Sequence, residues 1–231
     1  GREPVIAGVY PPAVRRTGAE QEVTIHGANF PADLATSAVD FGAGVSVRAV
    51  NRVAAHATTV RVLVSADAAV GARDLFLAGA SRPGALVVYD RVDRIQVTPQ
   101  AGMARVGGAV FPKQFQQFEA VGFDNGPDGK PETKDDLDIG LVPVSWSLEE
   151  YSVTYEDDDL QYVGQLDQRG LFTPALDGPN PNRSGNRNNV GDVWVVATHA
   201  PGGDARPIRG RAHLLVTVPL YLRWEPWRAA P

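Results

Sequence analysis

Seven short runs of β-forming residues, spaced about a dozen residues apart, set the tightest limit on what the first ninety residues can fold into. They occupy residues 5–9, 22–26, 38–41, 45–51, 59–64, 73–77 and 85–89, with clusters of Gly, Pro, Asn and Asp between them. Side chains alternate across a strand, so Val23 and Ile25 share one face against Thr24 and His26, and Val60, Val62 and Val64 do the same further on. No stretch of a dozen residues carries a helical stripe. Gly 24 and Pro 18 in 231 residues, with Met 1, also favour turns and short strands. Many short strands with regular turn signals predict a sandwich of two sheets.

The punctuation is more specific than the spacing. A strand at Pro4-Val5-Ile6 to Val9-Tyr10 is stopped by Pro11-Pro12, and Val23-Thr24-Ile25-His26 runs into Gly27-Ala28-Asn29-Phe30. Val39-Asp40-Phe41-Gly42 and residues 58–64 and 69–75 follow in order. This order resembles the IPT/TIG family of immunoglobulin-like domains over residues 3–90. Gly27 is expected to bend the chain with positive φ, Asn29 to hydrogen-bond its own turn, and Phe30 to plug the end of the sandwich. Such domains serve as spacers, binding modules or dimerisation modules, so the resemblance assigns no activity.

After a charged junction at residues 90–93, a second strand series begins at Ile95-Gln96-Val97-Thr98-Pro99. Residues 115–123 follow, then 142–148, where Val142, Val144, Trp146 and Leu148 share a face, and later 192–198 and 211–218. With Gly170-Leu171-Phe172-Thr173-Pro174 between them, the order resembles bacterial group-2 immunoglobulin-like domains, and Trp146 is expected to plug the core between two sheets. The chain is therefore expected to be all-β, two tandem immunoglobulin-like β-sandwich domains. Residues 1–90 form the first. Residues 91–231 form a larger second one with long acidic and Asn/Gly-rich loops.

Charge and composition remove several functions. Lys+Arg 22 against Asp+Glu 27 gives a net charge of −5, with no basic face to displace counterions, so nucleic acid is not an expected partner. Cys 0 excludes disulfides, thiolate catalysis, iron–sulfur clusters and covalent haem attachment through Cys-x-x-Cys-His. The apolar stretch 214–222 is interrupted by Thr217 and Pro219 and falls short of the ~20 residues that span a bilayer, so no membrane association is expected. The chain opens Gly1-Arg2-Glu3 without Met and without a signal-peptide pattern, as expected of a processed or excised piece.

Candidate chemistry is sparse. Asp124, Asp128, Gly129, Glu132 and Asp135 fall at positions 1, 5, 6, 9 and 12 of the EF-hand calcium spacing. Gly126 offers no oxygen at position 3 and Pro131 stiffens the second half, so the loop reads either as a calcium site made by Asp124, Asp128, Glu132 and Asp135 or as a solvated Asp/Gly turn. The run Glu156-Asp157-Asp158-Asp159 reads as a solvated strand edge. His26, His56, His199 and His213 share no metal-ligand spacing and are expected at the surface. No Gly-x-Ser-x-Gly, His-Glu-x-x-His or phosphate-binding Gly-Lys motif occurs, and nothing singles out a carboxylate pair for glycoside hydrolysis. Asn182-Arg183-Ser184 matches a glycosylation sequon. The tail Leu220-Tyr221-Leu222-Arg223-Trp224-Glu225-Pro226-Trp227 reads either as a last strand covering its own sandwich or as a partner anchor through Tyr221, Trp224 and Trp227.

The segment from Gly170 through Asp177-Gly178-Pro179-Asn180-Pro181 and Arg183-Ser184-Gly185-Asn186-Arg187-Asn188-Asn189 to Val195 goes beyond a generic sandwich. It resembles the C-terminal region of the α subunit of bacterial quinohemoprotein amine dehydrogenase, and the tandem order resembles that subunit's last two domains. The resemblance implies a periplasmic heterotrimer that oxidises primary amines, with two c-type haems in the α subunit's N-terminal cytochrome domain. It also implies a cysteine tryptophylquinone on the γ subunit and a propeller β subunit. Without Cys, no haem-attaching or catalytic residue carries over to any position here, and both cofactors are expected to lie outside this chain. The expectation is a non-catalytic pair of domains whose partners are the other subunits and the cytochrome region. The rivals are an extracellular adhesion or carbohydrate-binding module of tandem immunoglobulin-like domains and a calcium-stabilised spacer.

Overall fold

The computed structural model describes residues 2–152, 158–184 and 187–219. The chain forms two compact units, one of residues 1–96, 121–142 and 201–208, the other of residues 97–120, 143–200 and 209–231.

The first unit begins with eight strands. These are β1 (Val5–Tyr10), β2 (Ala13–Arg15), β3 (Glu20–Ala28), β4 (Val39–Asp40), β5 (Val45–Ala54), β6 (Ala57–Val64), β7 (Gly71–Leu77) and β8 (Ala80–Tyr89). They make two four-stranded sheets, β1-β3-β6-β5 and β2-β8-β7-β4. Each of the seven runs singled out in the sequence overlaps a strand, the run 38–41 only at Val39–Asp40; β2 is not among them. Pro11 and Pro12 end the pairing of β1 with β3, and the chain then joins the other sheet, where β2 runs parallel to β8. Proline has no N–H to donate, yet its carbonyl still serves: Pro12 O accepts the Val87 N–H at 2.9 Å. Three residues are too few to show a period, which is why β2 is invisible in the sequence.

Period-two alternation brings Val23, Ile25, Val60, Val62 and Val64 from one sheet against Leu75, Leu77, Leu86 and Val88 from the other, with Phe41 among them, all fully buried. Phe30 joins this core as expected. The turn before it works differently from the expectation. Gly27 is not in the left-handed region; it is required by close approach, since a Cβ there would lie 1.9 Å from Val5 O and 2.6 Å from Phe30 Cζ. The positive φ falls on Asn29 (59°), and its Nδ2 donates to Glu3 O at 3.0 Å instead of to its own turn.

The remaining strands are β9 (Arg94–Thr98), β10 (Ala101–Arg105), β11 (Gln116–Gln117), β12 (Glu119–Asp124), β13 (Leu137–Leu141), β14 (Ser145–Glu150), β15 (Gly164–Leu166), β16 (Leu171–Pro174), β17 (Gly191–His199) and β18 (Ile208–Thr217). One helical turn, α1 (Asp159–Tyr162), precedes β15. Sheet order β13-β12-β9 defines a small third sheet. The hairpin of residues 121–142 belongs to the first unit, where β13 packs on β2 and β8.

The second unit pairs β10-β18-β17-β14 with the three-stranded sheet β11-β16-β15. Alternate residues Val193, Val195 and Ala197 of β17 and Ala212, Leu214 and Val216 of β18 face inward against Phe118, Phe172 and Val163. Trp146 is 7% exposed and plugs this core as its sequence context predicts. Its place is set by Gly170, where a Cβ would come within 3.0 Å of the indole, and by Gln168, which accepts the Trp146 N–H and donates back to its carbonyl at 3.0 and 2.9 Å. Among the described residues no helix is long and apolar enough to cross a membrane.

Candidate functional site

The acidic hairpin of the first unit is held closed by its own carboxylates. Asp124, 4% exposed, accepts the N–H groups of Asp90 and Arg91 on Oδ2 at 2.8 and 3.2 Å and that of Gly126 on Oδ1 at 2.8 Å. Asp128 accepts the Lys130 N–H at 2.8 Å; Asp135 accepts the Asp128 N–H at 3.0 Å and the Thr133 hydroxyl at 2.7 Å. The Thr133 hydroxyl, with the Asp128 N–H, holds the Asp135 carboxyl below its ordinary range. Asp136, which the EF-hand spacing passes over, closes the loop's far end. It pairs with Arg94 at 2.8 Å and accepts the Glu132 N–H at 2.9 Å, and the Arg94 guanidinium depresses its pKa in turn.

Calcium needs several oxygens converging on one point. The oxygens of Asp124, Asp128 and Asp135 instead receive N–H and O–H donors, while Glu132 contributes its backbone N–H and a left-handed φ of 60°. Among the described residues no group of three or more His, Cys, Asp or Glu side chains is placed to hold a metal ion. The four candidate ligands are thus not brought together as a site; the motif is a network of turns.

In the second unit, the long connection from β16 to β17 closes around Arg183, 4% exposed. Its Nη1 donates to Asn188 O and Val190 O at 2.7 and 2.6 Å, its Nε to Asp158 Oδ1 at 2.9 Å, and its Nη2 to Asp159. Asp159 Oδ2 accepts the Asp192 N–H at 2.8 Å, binding the loop to the start of β17. The approach is so close that a Cβ on Gly191 would sit 2.0 Å from that carboxylate oxygen. One expectation changes here: Asp158 and Asp159 are not a solvated edge but the partners of a buried cation. Arg183 is the buried centre of the loop, and its neighbours Asn182 and Ser184 are exposed. Glu156 and Asp157 lie outside the described residues.

The outer face of the sheet β10-β18-β17-β14 carries a connected set of side chains. Tyr151, 42% exposed, stacks on His213 with ring centroids 4.0 Å apart and meets Trp194 at 4.8 Å. His213 Nε2 lies 2.7 Å from Asp192 Oδ2, and the Arg211 guanidinium lies 3.9 Å above the Trp194 ring. His213 is therefore half-buried, where a surface position was expected. Its proximity to Tyr151 and Trp194 depends on the register of three strands and has no local sequence signal. Tyr221, Trp224 and Trp227, read from the sequence either as part of a last strand or as partner contacts, lie outside the described residues.

The fold and these features define a chain of immunoglobulin-like β-sandwiches. Residues 3–90 match the sequence profile of quinohemoprotein amine dehydrogenase, alpha subunit domain III, and residues 95–227 match that of domain IV. The chain belongs to the quinohemoprotein amine dehydrogenase alpha-subunit family. No curated protein sequence gives a significant match. Among solved structures, the N-terminal eight immunoglobulin domains of Down syndrome cell adhesion molecule are similar at 12% identity and TM-score 0.29, covering 94% of this chain and 28% of that one. The tandem immunoglobulin repeats of Dlar give 14% identity, TM-score 0.28 and 95% and 100% coverage. The Yersinia pseudotuberculosis adhesin InvE gives 13% identity, TM-score 0.28 and 90% and 58% coverage.

Proposed function

We propose that these two domains are non-catalytic architecture of a periplasmic amine dehydrogenase, extending the α subunit and holding the other subunits and the cytochrome region. The observation that carries this reading is the match of two named α-subunit domains, in order, to a chain without one cysteine. The residues present do not fit the family's covalent haem. Thioether attachment needs thiols, and two of the four histidines are already engaged, His213 with Asp192 and His199 Nδ1 with Pro143 O at 2.7 Å. No redox step is therefore routed through this chain.

The test is association. Sedimentation of the full chain with the remaining subunits should show a stoichiometric complex, and osmotic shock of the source cells should release the chain with them. Independent sedimentation, or recovery only with the cytoplasm, would contradict the reading.

A further inference from the structure

A sheet with one solvated face normally alternates apolar-in and polar-out along its strands. The outer face of β10-β18-β17-β14 departs from this pattern. Outward positions hold Trp194 and Tyr151, and farther along Met103 and Leu215, exposed and directly opposed across the β10–β18 pair. Arg209 and Arg211, at alternate positions of β18, and Glu149 of β14 rim an open depression of about 280 Å³ beside the buried Val196.

The two arginines differ. Arg209 pairs with Glu149, whereas Arg211 lies flat on Trp194 and, among the described residues, has no carboxylate within ion-pair reach. Stacking covers one face of a guanidinium and restricts its rotation, yet leaves the in-plane N–H groups free to grip a carboxylate with two parallel hydrogen bonds. The shelf is itself held in place, because Tyr151 packs against Trp194 and on His213, and His213 sits against Asp192. Trp, Tyr, Met and Arg are the residues that concentrate in the centres of protein interfaces.

We propose that this face docks a carboxylate-bearing segment of another subunit, with an Asp or Glu entering the depression to pair with Arg211. The identity of the partner rests on the function proposed above; the carboxylate chemistry rests on the Arg–Trp shelf.

Titration of the full chain with the remaining subunits, by calorimetry, tests it. Arg211→Glu should weaken binding at least about tenfold, as truncation of a central anchor does. Arg211→Gln, which keeps length and loses charge, should also weaken it and flatten its salt dependence. Arg61→Glu, on the first sandwich, should bind like the wild type. Unchanged affinity in both Arg211 variants, with unaltered melting, would overturn the docking site while wild-type binding kept the subunit role. A wild-type chain that does not bind would overturn both. Loss of self-association alone in Arg211→Glu would place a second copy on this face and refute the proposal.

Discussion

In the first sandwich ten fully buried apolar side chains from two sheets meet with no charged residue in the cluster, whereas the second unit closes its longest connection around a buried arginine and two aspartates. The contrast follows from loop length. Where turns are short, alternating strands bury enough apolar surface to fix the fold by themselves. A connection as long as the one from Pro174 to Gly191 leaves backbone carbonyls needing donors, and Arg183 serves two of them, Asn188 O and Val190 O, from one side chain. Apolar packing specifies the first region, and in the second a directional polar network closes the long connection beside an apolar core.

The largest expected break in this contrast is Arg183→Ala. It strands Asp159 in a buried position and should cost about 3–5 kcal/mol, read by urea denaturation with the Trp emission of the second unit. Leu86→Ala probes the other side: a fully buried leucine should cost about 2–5 kcal/mol with no dependence on pH between 5 and 8. Near-wild-type stability of Arg183→Met, with Arg183→Ala still destabilised, would mean that packing, not charge, holds the loop. Asp124→Ala should cost less, about 1–3 kcal/mol, because it leaves three N–H groups without their acceptor. Adding calcium or chelator should not move its melting temperature or that of the wild type.

Acid should give the smallest effect. The Thr133 hydroxyl holds Asp135 low, Arg94 holds Asp136 low, and the Leu171 and Arg169 N–H groups hold Asp167 low. A depressed carboxyl contributes stability that is complete above its unfolded pKa, about 4, and is lost as pH falls through its lower folded value. Melting temperature should therefore be flat from pH 7 to about 5 and decline below 4. A decline already under way at pH 6 would point to histidine instead.

The sequence announced what local pattern can carry. Alternation at Val23–Ile25 and Val60–Val64, the Gly27–Phe30 punctuation and the isolated Trp146 marked both sandwiches, because burial imposes a period on strands. Partners distant along the chain left no such trace. Arg183 meets Asp158 and Asp159 across 25 and 24 residues, and Tyr151 meets His213 through the register of neighbouring strands. Charge runs are usually solvated, so Asp158 and Asp159 looked ordinary until the fold enclosed them. In the acidic hairpin, EF-hand spacing records where carboxylates lie along the chain, not that backbone donors engage them.

The most direct test of the central claim is spectrophotometric. The purified 231-residue chain, mixed with a primary amine and a dye acceptor, should show no haem Soret band and no amine-dependent dye reduction, while the same chain added to the remaining subunits should join an active complex. Amine oxidation by the chain alone would contradict the account.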